Sequence, residues 1–148
     1  MSSGQRIDEM DRRIIARLRR ENVTNSTLAR ELSVSEGMVR RRLKRLKESG
    51  ILQVTAGINT DALDDQQVAL VAVSIGRASL LEDKARQIAG LPHVLSVSIV
   101  SGRYDLMVEV LVESNHGLVD FLTVELAGIE DVVRTESFLL LKSYGKFV

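Results

Sequence analysis

Six cationic side chains crowd into eight positions: Arg40, Arg41, Arg42, Lys44, Arg45 and Lys47. Guanidinium and ammonium groups at that density can neutralise a row of phosphates, and an arginine fork can also read a guanine edge. They sit in the run STLARELSVSEGMVRRRLKRLKESGI, Ser26 to Ile51, which reads as a helix, a tight turn and a second helix. This is the layout of a helix-turn-helix, whose second helix lies in the DNA major groove. Ser35, Glu36, Met38 and Arg40 fall near the start of that helix, where base edges are met. Arg41, Arg42 and Arg45 suit bases or phosphates, and Thr24 and Thr27, at the start of the preceding helix, suit phosphates. The plainer reading is a solvated basic helix laced by ion pairs such as Glu36 to Arg40.

A second stretch, Ser101-Gly102-Arg103-Tyr104-Asp105, has residue types suited to a small zwitterion. A glycine lets backbone amides approach a carboxylate, and Asp105 can face an ammonium group. Thr135 and Ser137 share one face of a later strand and can line the same pocket. The plainer reading is a hairpin turn whose glycine supplies a left-handed conformation and whose aspartate bonds nearby amides. His93 and His116 flank turn or helix-start positions and read as surface residues.

The elements that position these residues follow from periodicity. Ile7, Met10, Ile14, Ile15 and Leu18 form one stripe of a first helix, Ile7 to Arg20. A second helix spans Thr27 to Leu32, capped by Asn25 or Ser26, and Ser33-Val34 makes the turn. Ser35 caps the third helix, whose inner stripe is Val39, Leu43 and Leu46 and whose stop is Gly50. Ile51 to Ile58 reads as one extended strand, a wing or hinge, and Asn59 to Gln67 as a polar linker. Beyond it come a strand (Val68–Ile75), a helix (Leu80–Ala89), strands (Val94–Val100 and Asp105–Val112), a helix (His116–Ala127) and a strand (Val132–Leu141). That β-α-β-β-α-β order is the ferredoxin-like arrangement. Residues of the strands at Val68 and Leu106 are apolar toward both faces, so the sheet wants a second cover, and a twofold copy of itself supplies one.

Composition bounds the function. Apolar residues at 45% build a core, while aromatics at 3% and no Trp argue against a stacking platform for single strands. Without cysteine there is no disulfide or thiolate metal site, and two histidines alone make no zinc site. No signal peptide or membrane-length apolar run is evident, which leads us to expect a cytoplasmic protein. The zero net charge is split: residues 1–60 carry 13 Lys/Arg and 7 Asp/Glu, a net of +6, and residues 61–148 carry 7 and 13, a net of −6. The basic part suits phosphates and the acidic part would be repelled by them.

In order and spacing these segments resemble the Lrp/AsnC family, the feast/famine transcriptional regulators, from about Ile7 to Lys142. The carrying residues are Asp8, Met10 to Ile15, Leu28-Ala29, Val34-Ser35, Val39, Arg41-Arg42-Leu43, Arg45-Leu46 and Gly50-Ile51. Gly102-Arg103-Tyr104-Asp105 and Thr135-Glu136-Ser137 carry it in the second half. Ser33 at the usual glycine and Asp64-Asp65 after the linker depart from the pattern. The resemblance implies a winged helix-turn-helix domain at 1–52, a hinge strand and linker at 53–67, and a ferredoxin-like α+β effector-binding and oligomerisation domain at 68–148. It implies double-stranded DNA as partner, an amino-acid effector bound between dimers, and a homodimer assembling further, up to an octamer. No cofactor is expected. The alternative function is an architectural DNA-binding protein that ignores small molecules. An enzyme is not expected: tetrapyrrole-active relatives need histidines in the sheet turn, and Ser101 to Asp105 has none.

Overall fold

The computed structural model describes residues 7–148, so positions 1–6 of the expected DNA-binding domain lie outside the described residues. The chain forms two compact units, one ending at Ala56 and the other spanning Gly57–Val148.

The first unit holds helices α1 (Glu9–Leu18), α2 (Asn25–Leu32) and α3 (Glu36–Glu48). Ile14, Leu28, Ala29, Val39 and Leu43 make its core, with Met10, Leu18, Val23, Leu32, Val34 and Leu52 packed around them. The helix starts are sharper than periodicity suggested. Asp8 caps α1, accepting from the Asp11 N–H at 2.8 Å while its own N–H reaches the Asp11 carboxylate at 3.2 Å. This reciprocal capping box starts the helix at Glu9, not Ile7. Thr24, not Asn25 or Ser26, caps α2, accepting from the Thr27 N–H at 3.2 Å. Ser33 ends α2 in the left-handed region at φ 56° and ψ 46°. There it lets the Val34 N–H reach back to the Ala29 carbonyl at 2.9 Å. The glycine-type conformation is therefore present without the glycine.

The extended strand expected over Ile51 to Ile58 is not found. The segment makes no strand ladder: among the described residues the unit ending at Ala56 holds no strand for residues 51–56 to pair with, and residues 53–58 are exposed. Its start is held by the Ile51 and Leu52 N–H groups, both bonded to the Leu46 carbonyl at 3.0 Å, and at its end Ile58 and Val148 exchange backbone hydrogen bonds at 2.8 and 3.1 Å, beside a bridge from Asn59 to Phe147. The linker is also partly ordered, with a short 3₁₀ turn at Thr60–Ala62.

The second unit is β1 (Gln67–Ile75), α4 (Leu81–Ala89), β2 (Val94–Ile99), β3 (Leu106–Val112), α5 (Asn115–Asp120) and β4 (Val132–Leu139). The antiparallel sheet has order β2-β3-β1-β4. That is the ferredoxin-like topology, and with the helical first unit it makes an α+β chain. Strand pleating sends Ala69, Val71, Val73 and Ile75 of β1, with Leu106, Val108, Val110 and Val112 of β3, into one core with Ile88, Phe121 and Leu126. The helix expected over His116 to Ala127 is α only to Asp120, and Phe121–Glu125 winds as a wider π turn. The Leu126 N–H bonds the Phe121 carbonyl at 2.8 Å, which stacks these two fully buried side chains on the same side. The opposite sheet face carries Val68, Leu70, Ala72, Met107, Leu111 and the 47% exposed Phe138, crossed by an ion pair between Lys146 and Glu109.

Candidate nucleic-acid interface and effector turn

The site is built from α3. Ser35 caps it through the Met38 N–H at 3.2 Å, and Glu36 adds a carboxylate at the positive helix end. Val39, Leu43 and Leu46 anchor the inner side at 9% exposure or less. The arginines then divide by what they touch. Arg42 Nη1 donates to Asp8 Oδ2 at 2.6 Å and to Asp11 Oδ1 at 2.9 Å. Arg45 donates to the other oxygen of Asp11, whose side chain is fully buried. Arg42 and Arg45 thereby clamp α3 onto the N-terminus of α1. The Arg42 guanidinium, helped by the Asp11 N–H, holds the Asp8 carboxyl below its usual range. Arg17 makes a similar fork onto Glu31, at 2.6 and 3.2 Å, tying α1 to α2 and lowering the Glu31 pKa.

The other cations of α3, Arg40, Arg41, Lys44 and Lys47, are exposed. Arg41 is exposed and makes no ion pair among the described residues. Lys44 is 75% exposed and holds Glu48 only at 3.8 Å. Arg40 is exposed but paired with Glu36 at 2.8 Å. Thr24 and Thr27 stand together at the start of α2, their hydroxyls 3.0 Å apart, exposed and half-buried respectively. The sequence reading missed the Asp8–Asp11 receptor for Arg42 and Arg45. The Asp-x-x-Asp spacing ahead of an apolar stripe was the signal for it.

In the second unit the turn Ser101 to Asp105 joins β2 to β3. Gly102 sits at φ 131°, and Ser101, Gly102 and Arg103 are exposed. Asp105 is used by the fold: its carboxylate accepts the Ile75 N–H at 2.8 Å and its own N–H bonds the Val73 carbonyl at 3.0 Å. The Tyr104 hydroxyl donates to Glu136, and this raises the Tyr104 pKa. Arg103 and Arg134 flank the Tyr104 ring at 5.8 and 5.6 Å from its centroid. Thr135 and Ser137 pair with Val73 and Val71 in register and are exposed. They point to the helix-bearing side, opposite to Glu136, so Tyr104 and the two hydroxyls meet different faces of β4. His93 and His116 are both exposed. No group of three or more His, Cys, Asp or Glu among the described residues could hold a metal ion. No helix among them is long and apolar enough to cross a membrane.

Residues 68–146 match the profile of the Lrp/AsnC ligand binding domain, and residues 7–53 match that of a winged helix-turn-helix DNA-binding domain. The chain belongs to the Lrp/AsnC family. It is a DNA-binding helix-turn-helix transcriptional regulator with a ligand-binding domain. An uncharacterised HTH-type transcriptional regulator of Pyrococcus furiosus is 32% identical over 143 residues, covering 94% of this chain and 96% of that one. The leucine response regulatory protein LrpA of Mycobacterium tuberculosis is similar in structure, with a TM-score of 0.80 at 28% identity, covering 94% of this chain and 95% of that one. A feast or famine regulatory protein of M. tuberculosis, solved with L-methionine, aligns with a TM-score of 0.75 at 26% identity, covering 95% and 96%.

Proposed function

We propose that this regulator grips operator DNA through α2 and the outward face of α3, and that a small amino acid at the second unit changes that grip. The observation that carries the reading is the division within α3: Arg42 and Arg45 are tied to Asp8 and Asp11, while Arg41 and Lys44 stand exposed opposite the buried stripe. Ser35, Glu36, Met38 and Arg40 supply the base-facing end, and Thr24 and Thr27 hold phosphate. Residues 1–52 serve DNA, 53–67 form the hinge, and 68–148 sense the effector and assemble copies of the chain. The apolar helix-free sheet face, with Phe138 at 47% exposure, favours a homodimer closed through the sheets. The relative bound to L-methionine supports an amino-acid effector. The exposed amides around Gly102, with Thr135 and Ser137 on β4, are the contacts we assign to it. Dimers meeting at these surfaces would complete the pocket and build larger rings.

The effector works by linkage: an amino acid that binds one assembly better shifts the population toward it, so that paired α3 helices fit or miss the operator spacing. One observation favours a second reading, an architectural protein deaf to metabolites: Asp105 is already committed to the Ile75 N–H. Fluorescence anisotropy with the regulator's own upstream DNA separates the two, with and without a pool of the proteinogenic amino acids. A change of roughly 5–150-fold in affinity supports effector control. An unchanged affinity with every amino acid supports the architectural reading.

A further inference from the structure

Gly37 occupies the second position of α3, in the first turn after the Ser35 cap. Among the described residues, nothing inside its unit asks for glycine there. Its φ is not in the left-handed region, unlike Gly50 at +69°, and a Cβ built on it meets no atom within 4 Å. A helical glycine of that kind lowers stability relative to alanine, through the entropy lost on ordering. The open space around Gly37 leaves room for something to approach the helix from outside.

Helical spacing says what that is. At about 100° per residue, Gly37, Arg41 and Lys44 project within roughly 60° of one another, about 160° away from the buried stripe of Val39, Leu43 and Leu46. All three are exposed. Gly37 is thus the leading residue of the cationic face, at the end of α3 where base edges are met. An Ala or larger side chain there would stand between the helix backbone and the floor of the groove.

We propose that Gly37 is a specificity-determining position, whose missing side chain lets the start of α3 sit deep enough for its neighbours to reach base edges. The inference rests on the operator-binding reading above and deepens it. Non-specific binding is carried by phosphates and does not need that depth, so the two kinds of binding must respond differently.

The test uses full-length protein and two duplexes: one enriched from a randomised pool by the wild-type regulator, and one of scrambled sequence. Gly37→Ala is expected to leave Tm unchanged or slightly higher, since alanine orders at less entropic cost than glycine. It is expected to weaken binding to the enriched duplex about fivefold or more, with Gly37→Leu weakening it further, while the scrambled duplex changes less than about twofold. Equal binding of the enriched duplex by wild type and Gly37→Ala overturns the proposal. Parallel weakening on both duplexes also overturns it, since that reports a lost phosphate grip. If the wild type enriches no sequence, the operator reading itself fails and takes the proposal with it.

Discussion

Asp11→Asn should destabilise the first unit far more than a surface ion pair would. Asp11 is fully buried and accepts from Arg42 at 2.9 Å, from Arg45, and from the Asp8 N–H at 3.2 Å. A charge-assisted hydrogen bond contributes about 1.5–3 kcal/mol, and asparagine places an amide N–H₂ against one of the two guanidinium groups. Breaking a fully buried pair costs about 3–5 kcal/mol. Here the loss is smaller, because the Arg42 and Arg45 side chains are 25% and 40% exposed and regain water. Arg42 also keeps Asp8 at 2.6 Å. The net expectation is about 2–3 kcal/mol, on the order of 30- to 150-fold in an opening equilibrium. Amide hydrogen exchange on the full chain reads this segment by segment: α1 and α3 should lose that much protection, while β1 and β3 keep theirs. A loss below about fivefold in α1 and α3 would make Asp11 equivalent to an exposed pair.

Further expectations follow from the same geometry. Arg41→Ala should weaken DNA binding with little change in Tm, whereas Arg42→Ala should lower Tm first; equal effects of the two on both readouts would erase the division within α3. Ser33→Gly should stabilise by about 1 kcal/mol, because it relieves a left-handed serine at φ 56°; a lower Tm in thermal unfolding would count against this. Asp8, Glu31 and Asp131 are all held below the usual carboxylate range, chiefly by Arg42, Arg17 and Arg77. Their stabilisation is present above the unfolded carboxylate values near pH 4 and is lost as pH falls through the lowered ones, so Tm should hold from about pH 7 to 5 and drop below about pH 4. A Tm that rises on acidification would contradict this sign. Gly102→Val puts a β-branched residue at φ 131° and should abolish any amino-acid response while leaving DNA affinity without effector unchanged; a retained response, read by anisotropy, would move the effector elsewhere.

Much of the architecture was legible because it rests on periodicity. The stripes of Val39, Leu43 and Leu46, and of Leu106, Val108, Val110 and Val112, face their cores as their spacing requires. What was not legible depends on partners distant in sequence. Ile51 to Ile58 has strand-like composition, but a strand exists only with a ladder partner, and among the described residues the first unit offers residues 51–56 none. The π turn at Phe121–Glu125 answers to the need to bury both Phe121 and Leu126, a tertiary demand that a regular helical stripe hides. At the DNA-facing site, cation density marked α3 as a whole, but not which arginines act outward. That division is set 31 to 34 residues away, at Asp8 and Asp11. At the effector turn, Gly102 was legible as a backbone requirement, whereas the use of Asp105 to close the end of β1 needed the Ile75 contact to be seen.

Whether the outward face of α3 meets DNA is read from the affinity for an operator duplex across a salt series, comparing wild type, an Arg41→Ala/Lys44→Ala double variant and Arg86→Ala in the second unit. Each phosphate contact contributes about 0.9 to the slope of log K against log salt. The double variant is expected to bind at least about tenfold more weakly, with a slope shallower by roughly 1–2, while Arg86→Ala matches wild type. A double variant with unchanged affinity and slope would contradict that contact.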